Sequence, residues 1–367
     1  LGGGGGGGPC ATIEGMSLAD GLRQLFDGLA AADAYPGVVL VEQGTDTVFE
    51  GAYGWASRAW RVPNTLDTRF DTASITKAFT ATAVLQLIDD GRLSFDTSVI
   101  DLLGLEGTAI SRDVTVLHCL THTSGIADDA DEEAGEAYAD VFRDRPNYSV
   151  IETADFLPQF AYKPAVFPPG QGCRYNNVAF VLLGLCIEHV TGTTYRDHVR
   201  EHVFARAGMA RTDFFRMDVV AHGVAEGVDP FLGDDGTIAG WRRNIYSYPP
   251  IGSPDGGAHT TAHDLARFWR AARTGRLFSA ESTERFLQPH AFHSRDEQRV
   301  LRYGFGIDHV ADAHDRPMFI EKEGYNAGVS ADVRWYPGRD VTVVMLSNTS
   351  DGVWAPMREV HQLVMGM

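Results

Sequence analysis

Residues 17–33, SLADGLRQLFDGLAAAD, repeat apolar side chains three and four apart behind a serine, which predicts a capped amphipathic helix. Residues 37–57, GVVLVEQGTDTVFEGAYGWAS, read instead as two strands joined around Gly44-Thr-Asp46. The stretch 74–90 is apolar almost throughout and stops at Gly91, as a buried helix would. Helical patterning returns at 150–160 and 177–208, and again in Asp264-Leu-Ala-Arg-Phe-Trp-Arg-Ala-Ala-Arg273. Between the last two lies 217–260, rich in Gly and Pro and predicted to be irregular. The C-terminal third turns to strand patterning at 302–309, 317–323, 327–336 and 341–347, with turns at Gly324 and Pro337-Gly338 and a last helix over 353–365. No internal repeat stands out. Strands at both ends and helices between them predict an α/β fold of the α+β type. Its antiparallel sheet would draw on both chain ends, be flanked by helices and carry an inserted, mainly helical domain. The expected division is one unit over 16–367, with an α/β part at about 16–91 and 262–367 and a helical part at about 92–261.

Composition narrows the partners. The chain has 367 residues, 44% hydrophobic and 22% charged, enough for a large core. A net charge of −18 argues against nucleic acid and anionic membrane surfaces as partners. No apolar run approaches the ~20 residues a membrane span needs. The acidic stretch 127–148, ADDADEEAGEAYADVFRDRPNY, reads as an exposed loop or lid. Four widely spaced cysteines without a C-x-x-C pair suggest neither a disulfide framework nor a zinc site. Reduced thiols and a cytoplasmic location are expected, with secretion left open. Residues 1–15, LGGGGGGGPCATIEG, lack the charge and apolar core of a signal peptide and read as a flexible leader, tag or linker before Met16.

Three short motifs carry chemistry. Ser74-Ile-Thr-Lys77 puts a lysine three residues after a serine on one helix face, where its amine can reach the hydroxyl and activate it. Lysine occurs only at Lys77, Lys163 and Lys322, so a chance S-x-x-K is expected about 0.1 times. Tyr175-Asn176-Asn177 follows Pro168-Pro-Gly-Gln-Gly172 and precedes the apolar run from Val178, which places Tyr175 and Asn177 on a turn. A phenol is a poor base at its usual pKa of about 10, and nearby ammonium groups would lower it. Lys322-Glu323-Gly324 reads as a strand that directs Lys322 and Gly324 to one face. Taken singly, these motifs also fit a surface lysine, a packed aromatic and an exposed strand.

In this order the motifs resemble the serine β-lactamase/penicillin-binding-protein superfamily, nearest its class C β-lactamases, D-peptidases and family VIII carboxylesterases. Leu120-Thr-His-Thr-Ser-Gly-Ile126, Pro168-Pro-Gly170 and Gly256-Gly-Ala-His-Thr-Thr-Ala-His-Asp-Leu-Ala266 extend the likeness from about residue 20 to the C-terminus. The resemblance implies that Ser74 forms an acyl-enzyme and Lys77 takes or relays its proton. It makes Tyr175 the general base, kept acidic by Lys322, and has Asn177 position Lys77 and substrate. The backbone N–H groups of Ser74 and Tyr325, beside Gly324, would form the oxyanion hole. It implies no metal and no cofactor. His122 invites a Ser-His-Asp reading, but the chain lacks a G-x-S-x-G elbow.

Members acting on penicillins or peptidoglycan usually carry a hydroxyl residue in the middle of K-x-G, which helps bind the substrate carboxylate. Glu323 stands there instead, and a carboxylate repels that anion or, facing away, binds nothing useful. The expected partner is therefore a small neutral acyl substrate and the expected activity that of a carboxylesterase. A D-stereospecific peptidase or amidase, a weak β-lactamase and a non-catalytic penicillin-binding-like protein are the alternatives. Tyr246, Tyr248 and Trp241 are candidates to line the pocket, and oligomeric state is not readable.

Overall fold

The computed structural model describes residues 17–367, so the Gly-rich leader expected over 1–15 lies outside them. Ser17 accepts from the Asp20 amide and starts helix α1, Leu18–Ala31. Strands β1, Gly37–Gln43, and β2, Asp46–Tyr53, follow as a hairpin. Helix α2 is Thr76–Asp89, α3 is Val178–Thr191 and α4 is Ala262–Arg273. Six more strands close the chain: β3 Ala291–Arg295, β4 Arg299–Tyr303, β5 Asp308–Asp312, β6 Pro317–Asn326, β7 Val329–Tyr336 and β8 Val341–Ser347. Helix α5, Trp354–Met365, is last.

The eight strands form one antiparallel sheet in the order β2-β1-β8-β7-β6-β5-β4-β3. The N-terminal hairpin thus joins the C-terminal strands through β1 and β8, with Val39 opposite Met345. Both faces of these central strands are covered, which is why they read as unbroken apolar runs rather than alternating ones. Val39, Val41, Val343 and Met345 pack with Leu22 and Phe26 of α1 and Met357 and Val360 of α5. Val38, Leu40, Val344 and Leu346 face the larger core that contains α2, α3 and α4. This is the mixed α/β fold expected, a large antiparallel sheet flanked by helices. No single helix among the described residues is long and apolar enough to cross a membrane. The bent pair of α3 with Tyr195–Ala207 meets only the length and composition test, and α3 lies within the core.

Local departures have physical causes. The strand expected over 302–309 is a hairpin: β4 ends at Tyr303, Gly304 N–H donates to Ile307 O, and Gly306 has φ +67°. Gly324 is not a turn but lies inside β6. Strand β3 and the hairpin of Val228–Leu232 with Ile238–Arg243 escaped prediction because both are largely solvent-facing and lack apolar alternation. The acidic segment is more than a solvated loop. It makes three short turns, and Asp129, Ala130, Phe142 and Asn147 are buried. Lys163 Nζ holds it down by donating to the carbonyls of Asp128 and Asp129.

Candidate active site

The site forms where four distant segments meet. Phe70-Asp71 pairs with His259-Thr260, and Thr72 donates from both its amide and its hydroxyl to Ala258 O. Thr76 Oγ1 accepts from Ala258 N, and Asp71 Oδ1 accepts from Ala73 N at 2.7 Å. These bonds pin both flanks of Ala73, whose φ of +41° is a strained value for a residue with a Cβ, costing about 1–3 kcal/mol. The kink presents Ser74 in a 3-10 turn, Ala73–Ile75, that runs directly into α2.

Strand β6 closes one side. Strand β5 pairs with it only as far as Glu321, so residues beyond have an edge free of β5. That stretch lies against the Ser74 loop: a Cβ on Gly324 would stand 2.0 Å from Thr72 O and 3.4 Å from Ser74 N. Only glycine permits this approach. Ser74 and Tyr325, the expected pair of oxyanion donors, are thus on facing elements.

Lys77 is wholly buried. Its Nζ lies 3.1 Å from Ser74 Oγ, 2.8 Å from Asn177 Oδ1 and 2.6 Å from Asp255 O. Burial is the main reason its pKa falls to about 8. Asp255 opposes this fall and Lys322 adds to it. Tyr175 OH donates to Ser74 Oγ at 2.7 Å from the other side. Asn177 sits at the start of α3, where Asp128 accepts from the amides of Asn177 and Val178 at 2.8 and 3.1 Å.

Lys322, the cation expected beside the Tyr175 phenol, has a carboxylate partner. Its Nζ is 2.9 Å from Asp308 Oδ2 and 5.1 Å from the centre of the Tyr175 ring. The Tyr175 phenol is pushed well above its usual pKa by burial, then by Glu132, with Asp308 adding to the rise. Asp308, not the Tyr175 phenol, is the group paired with the Lys322 ammonium here, and burial opposes the acidification expected of that phenol. Glu323 faces the other way from Lys322 and Gly324: Arg334 Nη2 is 3.6 Å away, beside Glu321 and Asp332. Those three carboxylates lie close enough for a metal ion, but the Arg334 guanidinium is 2.7 Å from Glu321 and 2.8 Å from Asp332 and fills that need. His122 packs between Tyr175 and Tyr303, both rings 4.7 Å away, and accepts from Asn176 N. Burial pushes it well below the usual imidazole pKa.

Ser74 opens into a solvent-connected cavity lined by residues that include Glu132, Asn177, Tyr248, Asp255 and Tyr325. Tyr248 is the one pocket aromatic anticipated from sequence; Trp241 stacks on Arg58 and Tyr246 is exposed. Glu132, Asp255 and Asp308 were missed. Asp255 contributes through a backbone carbonyl, which any residue type supplies, and Asp308 sits in no motif. Glu132 was one acid among many in the stretch 127–148.

Sequence comparison decides the family. A model of the Beta-lactamase family matches residues 22–363. The chain belongs to the beta-lactamase family. Among its family relatives, penicillin-binding protein 4 of Amycolatopsis lactamdurans is 27% identical over 346 residues, covering 89% of this chain and 84% of that one. Esterase EstB of Burkholderia gladioli is 29% identical over 320 residues and 80% of each chain. The crystal structure of a penicillin-binding protein from Bacillus halodurans superposes with a TM-score of 0.82 at 36% identity, over 94% of this chain and 98% of that one.

Proposed function

We propose that the protein is a serine acyl-hydrolase that works through a Ser74 acyl-enzyme and acts on small esters lacking a carboxylate near the acyl carbonyl. The observation that carries the reading is the placement of Ser74 Oγ between Lys77 Nζ and Tyr175 OH at the floor of an open cavity.

A neutral Lys77 has two N–H groups and one lone pair. Asn177 Oδ1 and Asp255 O take the N–H groups, which leaves the lone pair aimed at Ser74. In acylation Ser74 Oγ bonds to the carbonyl carbon and its proton passes to Lys77. Tyr175 gives its proton to the departing alkoxide and is left as phenolate near the Lys77 and Lys322 ammonium groups. In deacylation the phenolate takes a proton from water, hydroxide attacks the acyl carbon, and Lys77 returns its proton to Ser74. The amides of Ser74 and Tyr325 would receive the carbonyl oxygen; one such donor is typically worth about 3 kcal/mol in the transition state.

The cavity supports the choice of ester. Asp71, Glu132 and Asp255 line it, and no lysine or arginine does among the described residues. Lys322, which could meet an anion, is occupied by Asp308. Glu323 lies beside Arg334 and not in the cavity lining, so these groups are the ones that disfavour a substrate carboxylate. The likeness to an esterase at 29% identity agrees. Labelling by a fluorophosphonate should be lost in Ser74→Ala, and p-nitrophenyl butyrate should be turned over faster than nitrocefin. Equal or faster turnover of nitrocefin refutes the substrate assignment, and absence of labelling refutes the acyl-enzyme.

A further inference from the structure

A tight turn holds Asp308 beside the reacting groups. Gly304 N–H donates to Ile307 O, and Gly306, at φ +67°, rests so closely on α2 that a Cβ there would stand 2.6 Å from Lys77 O. Strand β5 then opens with Asp308 opposite Glu321, and its carboxylate reaches the adjacent Lys322 at 2.9 Å. Both residues are buried. Among the described residues this is the one hydrogen bond of Lys322 Nζ, and Asp308 Oδ1 has no partner. A buried ion pair with a spare carboxylate oxygen is a poor source of stability, because desolvation offsets the attraction. Tyr175 stands next to the pair. Lys77 and Lys322 approach its ring centre to 5.0 and 5.1 Å, and the rings of His122 and Tyr303 lie 4.7 and 6.3 Å away. Burial and then Glu132 most oppose ionisation of this phenol, and Asp308 adds to them.

Resting on the hydrolase reading above, we propose that Asp308 is a positioning residue for deacylation: it holds the Lys322 ammonium and offsets its charge, which keeps the Tyr175 phenolate a strong enough base to take a proton from water. In that step the phenolate gains the proton and the hydroxide oxygen bonds to the acyl carbon. The bond from that carbon to Ser74 Oγ then breaks, its electron pair stays on Oγ, and Oγ takes the proton of Lys77. Two unopposed ammonium groups would stabilise the phenolate, weaken it as a base and leave the acyl group on Ser74. Asp308 thus separates an enzyme that turns over from a protein that keeps its acyl group.

The test uses methyl butanoate, whose departing methoxide takes the Tyr175 proton, and the variant Asp308→Asn. Asparagine keeps an oxygen that accepts from Lys322 and removes the charge. Turnover at saturating ester, divided by the fraction of acid-quenched protein that carries a butyryl group, gives the deacylation rate constant. In Asp308→Asn this constant should fall about tenfold or more, and the butyrylated fraction should rise. The value of kcat/KM, which reports only the steps up to methanol release, should fall less, and fluorophosphonate labelling should persist. Removing both charges in Asp308→Asn/Lys322→Met should return part of the lost deacylation. An unchanged deacylation constant, an equal fall in kcat/KM, loss of labelling in Asp308→Asn, or a further fall in the double variant overturns the assignment of Asp308. Hydrolysis of methyl butanoate by the wild type leaves the hydrolase reading standing in each of these cases. Absence of that hydrolysis, together with absent labelling of the wild type, refutes the hydrolase reading itself.

Discussion

If Lys77 must be neutral to accept the Ser74 proton, acylation should follow the titration of one buried amine. A pKa of about 8 leaves about a tenth of the molecules with a free amine at pH 7 and about nine-tenths at pH 9. The acylation rate should therefore rise about tenfold between these values, with a limiting slope of one on the acid side and a plateau above. Tyr175 adds no limb in this range, because burial holds its phenol well above its usual value. The assays are the second-order rate of fluorophosphonate labelling and the pre-steady-state burst with p-nitrophenyl butyrate, each followed from about pH 6 to about 10. Asp255→Asn tests the assignment. It keeps the carbonyl that orders the Lys77 amine and removes the charge that most strongly holds the proton on it, so the midpoint should move to lower pH. A flat profile, a midpoint near 10, or a midpoint unmoved by Asp255→Asn would refute Lys77 as the proton acceptor.

The same amine should tax stability. Its folded pKa lies below its value of about 10.4 in the unfolded chain, so the penalty is complete below about pH 8 and is relieved as pH rises towards 10.4. The whole effect is on the order of 3 kcal/mol, and denaturant titrations of Lys77→Met should lack this part of the slope. Gly324→Ala would drive a Cβ into Thr72 O, so a loss of about 1–3 kcal/mol in denaturant unfolding and a large drop in ester turnover are expected. Arg334→Met strands Glu321 and Asp332 in the sheet and should cost about 3–5 kcal/mol. Burial raises both carboxyls, Asp332 to about 7, so the loss should be greatest at neutral and alkaline pH and partly recovered near pH 5, as thermal unfolding across pH would record.

What could be read in the sequence follows the range of the interactions. Helix α1 and strands β1 and β8 declare themselves because burial and capping act on neighbouring residues. Ser74 and Lys77 are also legible as a pair, since one helix turn fixes their spacing. Orientation across the sheet was less accessible. Lys322 meets Asp308 only because β5 pairs with β6 in the register that puts Asp308 opposite Glu321, and nothing local to Lys-Glu-Gly announces that partner. Glu323 turns to Arg334 for a similar reason: β7 places a guanidinium on that face. The acidic segment 127–148 was hardest. Its acidic composition signals solvent, yet Lys163 and the start of α3 fold it against Tyr175 through contacts that composition cannot show.

Lys77 joins these scales, because its ammonium form satisfies three acceptors from three segments, and two of them lie 100 and 178 residues along the chain. A buried amine with so many acceptors would ordinarily be a structural tie, held charged by its partners. Here two of the three acceptors are uncharged carbonyls, and burial wins over the Asp255 charge, so the proton is held weakly. When it leaves, both carbonyls keep their N–H partners and only the bond to Ser74 reverses direction, the hydroxyl now donating to the amine. The frame that ties Ser74, Asn177 and Asp255 together can thus survive the proton transfer it serves. Stability and reactivity depend on the same three bonds. A substitution that loosens Asn177 should therefore lower acylation by releasing the lone pair from its aim, even where the chain still folds.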